Sequence, residues 1–157
     1  MCSSDLTAGH ASHHFSFMLE NKKIMFCGDS VGMFIPGLNA MVPTTPHPYR
    51  MESGIESINQ MIERSPDKLA FAHHAIKSNA IELMHQHINQ LESWKVCVAD
   101  CLSKGIESEE DIALEISKID EHSEKIFRDK GDFGGIRRAL VSSIPGFKFI
   151  ILKENNP

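Results

Sequence analysis

Ile24-Met25-Phe26-Cys27-Gly28-Asp29-Ser30 decides how the chain is read. An apolar run, Ile24 to Cys27, stops abruptly at Gly28, and a carboxylate follows at once. That pattern predicts a short strand with Asp29 at its C-terminal end. Just upstream, His14 to Leu19 reads as another strand, joined to the first by the polar turn Glu20-Asn21-Lys22-Lys23. Further on, Lys68 to Ala72 is a third short strand, and it runs into His73-His74. His10 follows Gly9 just before the hairpin. Strand ends therefore deliver His10, Asp29 and His73, and imidazole nitrogen with carboxylate oxygen is what zinc, iron or manganese takes from a protein. A sheet also fixes the backbone that such ligands hang from. Taken alone, a Gly-Asp is a common turn and a histidine beside a glycine a common surface residue.

Around these junctions the pattern alternates strand and helix signals. Gly32 to Tyr49 holds Pro36, Pro43, Pro46 and Pro48, a density that predicts extended loop without regular structure. Such loops in a compact domain are usually functional rims. Ile55, Ile58, Met61 and Ile62 give helical spacing over Glu52 to Arg64. From about Lys77 to Ser103 the positions Ile81, Met84, Ile88, Leu91, Val98 and Leu102 predict one long amphipathic helix. Gly105 ends it, and Ser108 ahead of Glu109-Glu110-Asp111 resembles an N-cap for a second helix running to about Arg128. Ile112, Ile116, Ile119 and Ile126 would be its buried side. Gly131 to Gly135 reads as a loop and Phe147 to Leu152 as a final strand. The fold class is α/β or α+β with a helical hairpin at about 77–128, in a single domain over 1–157.

Composition narrows the function. A formal charge of −5 lacks the electrostatic footprint of a nucleic-acid binder. No apolar run is long enough to predict a membrane span, and the first residues carry no signal-peptide pattern. Cys2, Cys27, Cys97 and Cys101 form no C-x-x-C pair and read as reduced, mostly packed thiols. The cytoplasm is the expected compartment. His85 and His87 lie inside the long helix, where residues two apart diverge by about 200°, and read as surface histidines. His13 and His14 read as the start of a strand, alternating between its faces.

Read in order, Thr7-Ala8-Gly9-His10-Ala11-Ser12-His13-His14, Phe26-Cys27-Gly28-Asp29-Ser30 and Leu69-Ala70-Phe71-Ala72-His73-His74 resemble the later metal motifs of the metallo-β-lactamase-fold hydrolases. Pro43-Thr44-Thr45-Pro46-His47-Pro48 and the helix after it are similar to many members, and Ala8 stands where the family prefers proline. The resemblance implies an αββα sandwich, of which this chain would be the C-terminal half. It also implies His10 on a first metal, Asp29 bridging both, and His73 on the second. His74 remains open as the alternative ligand. The implied cofactor is zinc, with iron or manganese as further options, and the implied activity is metal-dependent hydrolysis of a small-molecule substrate.

The family's first motif, H-x-H-x-D-H, does not occur in the sequence, although it supplies further ligands to both metals. The expectation is therefore weak metal binding and poor turnover by this chain alone. Half of the sandwich would also leave an open apolar sheet face. Self-association, or a complementing chain with the N-terminal half, would cover it. The alternative is a non-catalytic binding or oligomerisation module with vestigial ligands.

Overall fold

The computed structural model describes residues 2–73, 75–129 and 135–155. Its strands are β1 (Cys2–Leu6), β2 (Phe15–Leu19), β3 (Ile24–Gly28), β4 (Met33–Ile35), β5 (Ala40–Val42), β6 (Lys68–Phe71) and β7 (Ala75–Ser78). Its helices are α1 (Met51–Glu63), α2 (Ala80–Ser103), α3 (Glu109–Ile116), α4 (Glu121–Arg128) and α5 (Ile136–Asn155).

One sheet has the order β1-β2-β3-β6-β7, and β4-β5 form a separate small hairpin. All neighbours in the larger sheet are antiparallel except β3 and β6, which run parallel. A parallel pair cannot be closed by a tight turn. The β4-β5 hairpin and α1 make the crossover between them.

Side chains alternate across the pleat, and the two faces of the sheet have opposite fates. Met18, Met25 and Leu69 are paired in register and buried, packed with Ile58 and Met61 of α1. The other face carries Phe17, Phe26, Ala70 and Ile76 in one row, with Phe15 and Leu6 paired beside it. Phe15, Phe17, Phe26, Leu6 and Ile76 are between 44% and 63% exposed. The molecule is thus one helical layer on one sheet, with an aromatic face left open.

A second part of the core lies among the helices, where Trp94 and Phe147 are both 0% exposed with ring centroids 5.9 Å apart. Burying each stabilises the fold by about 2–3 kcal/mol. Asp120 ties α4 to α2 in this region. One of its carboxylate oxygens accepts from Gln90 at 2.8 Å, Trp94 Nε1 at 3.1 Å and Ser123 Oγ at 2.6 Å, while the other caps α4 through His122 N–H.

Several sequence expectations hold. The hairpin of β2 and β3, helix α1, strand β6 and the Ser108 cap, whose Oγ accepts from Asp111 N–H, form where the pattern puts them. The long helix forms too, but α2 starts at Ala80, because its expected first residues at 77–78 pair with β6 as the end of β7. Others need correction. Cys2 to Leu6, placed in no element by the sequence pattern, is a strand despite poor β-propensity, because backbone pairing to β2 along its whole length overrides side-chain preference. The proline-rich stretch contains the β4-β5 hairpin, since Pro36 and Pro43 fall just outside its strands and remove no ladder donor. The helix expected to run to Arg128 is divided into α3 and α4 by the Asp120 cap, and Ile119 between them is exposed. Phe147 to Leu152 is no final strand but part of α5, where Leu140, Ile144, Phe147 and Ile151 recur at helical spacing on the buried side. The helical hairpin expected over 77–128 thus becomes three helices, α2 to α4, with α5 following as a fourth. His87 is 2% exposed rather than on the surface, while His85 is exposed as expected. The expected loop at 131–135 lies outside the described residues except for Gly135, which is in a turn.

Candidate metal centre

Asp29 is the first residue after β3, and His73 lies two residues beyond β6. Because these strands are adjacent and parallel, their C-terminal ends lie side by side, where open α/β sheets form their ligand crevices. The register shifts between Phe26 and Gly28, so one extra residue, Cys27, bulges the end of β3. A bulge of this kind re-aims the adjoining side chains. His73 Nε2 stands 3.4 Å from Asp29 Oδ1.

His10 arrives from the loop between β1 and β2, with its Nε2 3.9 Å from the other oxygen, Oδ2. That loop is seated directly on α1. Gly9 has φ 147°, and a Cβ there would fall 2.5 Å from the Cα of Gly54, so the backbones touch as only glycine allows. Ser57 Oγ donates to Ala8 O at 2.8 Å and holds the loop down. Thr44, from the proline-rich segment, then aims the imidazole. Its carbonyl accepts from His10 Nδ1 at 2.9 Å, and its hydroxyl donates to Asp29 O at 2.8 Å.

Asp29 Oδ1 is buried and has no hydrogen-bond partner. His73 approaches it as an ion-pair contact that is not aligned as a hydrogen bond. A buried carboxylate oxygen left this way costs about 1–3 kcal/mol or more unless something else satisfies it, and a cation is such a partner. The donors are therefore of the right chemistry for a divalent metal. Even so, no group of three His, Cys, Asp or Glu side chains among the described residues is close enough to hold a metal ion by itself. His10, Asp29 and His73 come together only pairwise, through Asp29. His74 lies outside the described residues.

Sequence reading missed the part played by His14. Its Nε2 accepts from Asp29 N–H at 3.2 Å, and its Nδ1 lies 2.9 Å from Ser30 Oγ and 2.8 Å from Thr7 Oγ1. Burial, aided by the nearby His10, lowers its pKa below 6.5. The doublet His13-His14 was the only signal, and it does not say which ring turns inward. Cys27, two residues before Asp29, is fully buried, and burial pushes its thiol up to about 12, the opposite of an activated thiol.

No family model matches the chain. It is 36% identical over 87 residues to a metallo-beta-lactamase fold-containing protein of Sulfurisphaera tokodaii, a match covering 55% of this chain and 31% of the relative. Among solved structures it resembles an archaeal metallo-beta-lactamase superfamily protein from Sulfolobus tokodaii, with a TM-score of 0.58 at 24% identity. That match covers 94% of this chain and 45% of the other. It also resembles a metallo-beta-lactamase family protein from Thermus thermophilus, with a TM-score of 0.61 at 12% identity, over 98% of this chain and 44% of that one. The chain spans less than half the length of these relatives. Sequence likeness and architecture agree on the fold: the chain has the architecture of part of the metallo-β-lactamase fold.

Proposed function

We propose that the chain is the part of a metal-dependent hydrolase that contributes His10, Asp29 and His73 to a metal centre. Zinc suits these donors, as do iron and manganese. The observation that carries the reading is the shared carboxylate: imidazoles from two separate loops stand on the two different oxygens of Asp29. Held by these residues, a divalent metal would supply the acidity that makes hydroxide available from water near neutral pH. Asp29 offers both oxygens and is suited to bridging. His10, with Nδ1 tied to Thr44 O, presents Nε2 in one fixed direction. His73, 54% exposed, is the ligand nearest solvent and an incoming small-molecule substrate.

Catalytic metal sites typically keep three protein ligands plus water, so this chain alone is expected to bind metal weakly and turn over poorly. The remaining ligands would come from a chain segment or partner carrying the rest of the fold. The open face with Phe15, Phe17 and Phe26 is where it would pack, and self-association is the other way to cover that face. No nucleic acid or membrane enters this reading. Among the described residues no helix is long and apolar enough to cross a membrane, and a cytoplasmic location is proposed. The absence of a closed ligand group favours, as a second reading, a binding or oligomerisation module with vestigial ligands.

Titration calorimetry of the chain and of Asp29→Asn with Zn²⁺ or Co²⁺ tests the first reading. Weak binding that the substitution removes is expected. Tight binding of two metals per chain would overturn the incomplete site, and binding indifferent to Asp29→Asn would overturn the assignment itself.

A further inference from the structure

We propose that His14 is a positioning residue that fixes Asp29 between His10 and His73. This rests on the reading of Asp29 as a metal ligand. A backbone N–H can only donate, so the bond from Asp29 N requires a bare Nε2 on His14. The ring proton then sits on Nδ1, which faces the hydroxyls of Ser30 and Thr7. One imidazole therefore holds the amide of Asp29 on one side and the side chain of the next residue on the other.

Its own frame is firm. Thr7 N–H donates to His14 O at 2.8 Å, Thr7 Oγ1 lies 3.0 Å from Ser16 Oγ, and Ser30 Oγ also reaches Thr7 O at 3.4 Å. The ends of β1, β2 and β3 are thus laced together through a single ring.

Gly28 supplies an independent observation. With φ 54°, a Cβ on it would fall 2.4 Å from His14 Nε2. The ring occupies the space that any larger residue at position 28 would need. Abrupt termination of the strand at a glycine, visible in the sequence, is the footprint of the imidazole lying against it. The His14 ring also meets that of His10 edge-on, with centroids 6.0 Å apart, but its hydrogen bond goes to Asp29, through which it fixes the carboxylate.

Three variants test this. His14→Phe keeps a ring without nitrogens, and His14→Gln restores an acceptor near the position of Nε2. Gly28→Ala leaves His14 in place but pushes the ring away. Two readouts apply to each, namely hydrogen exchange of the Asp29 amide by NMR in the metal-free chain and Co²⁺ titration, with far-UV circular dichroism checking the fold. His14→Phe and Gly28→Ala should speed Asp29 exchange about 10-fold or more and weaken Co²⁺ binding by about 10–100-fold, with His14→Gln recovering part of both.

Unchanged Asp29 exchange in His14→Phe would overturn the proposal, as would faster exchange with unchanged Co²⁺ affinity. If His14→Phe does not fold, Gly28→Ala and His14→Gln decide by the same criteria. Failure of the underlying metal reading looks different: Co²⁺ binding by the native chain would then be indifferent to Asp29→Asn.

Discussion

The carbonyl oxygen of Thr44 lies 2.9 Å from Nδ1 of His10. A carbonyl only accepts, so the ring carries a proton there and turns its Nε2 toward Asp29. The same threonine donates its hydroxyl to Asp29 O. Thr44→Val keeps the carbonyl and the branched shape but removes that second bond. A loss of about 1 kcal/mol is expected in urea unfolding. Metal affinity should fall alongside stability, because Asp29 loses one of its backbone anchors.

Asp120 accepts three side-chain bonds on one oxygen and caps α4 with the other. Asp120→Ala strands the indole N–H of a buried Trp94 as well as Ser123 Oγ. The expected cost is about 3 kcal/mol or more, read by chemical denaturation with Trp94 fluorescence as the probe. Asp120→Asn keeps an acceptor and should lose less.

His87 is buried on α2, and burial pushes its pKa down from 6.5 to about 4, against a smaller opposing effect of Gln90. The folded state therefore holds it neutral while the unfolded chain protonates it. Stability is complete above about 6.5 and drains away as pH falls toward about 4, by about 3 kcal/mol in all. His122 and His14 are shifted in the same direction. In His87→Leu the slope of stability against pH across that window should be visibly shallower than in the native chain. Equal slopes would show that His87 is not held neutral.

The row of Phe17, Phe26 and Ile76 is solvent-facing and about half exposed, so it contributes less to folding than the buried Met18, Met25 and Leu69 behind it. Phe17→Thr with Phe26→Thr, which keeps strand-favouring residues in this cross-strand pair, should cost no more than about 1–2 kcal/mol of unfolding free energy. It should also shift light scattering toward monomer if the native chain self-associates. A large loss of stability with no change in association would contradict an open docking face.

What the sequence made legible was local. Asp29 after a strand, His73 after another and the helical stripe of α2 can each be read from a few neighbouring residues. The parts that escaped depend on distant partners. Cys2 to Leu6 becomes a strand only because β2 lies alongside, and FKFIIL becomes helix because Trp94 and Tyr49 meet Phe147 from elsewhere in the chain. His14 was hidden for the same reason, since Thr7 and Ser30 reach it across three strand ends. Likewise His87 carries no mark in its own helix of the β4-β5 region that covers it, where Gly32 would place a Cβ 2.9 Å from its ring.

The parallel pairing of β3 with β6 also bears on how the chain acquires its shape. The hairpin of β2 and β3 closes over a few residues and can form within microseconds. Joining β3 to β6 must wait until some forty intervening residues have been gathered in, a loop closure whose entropy is lost before the contact rewards it. Asp29 and His73 therefore meet only after that slow encounter. An ion that needs both residues finds no site in the early hairpin and can reward only a chain that has completed its crossover.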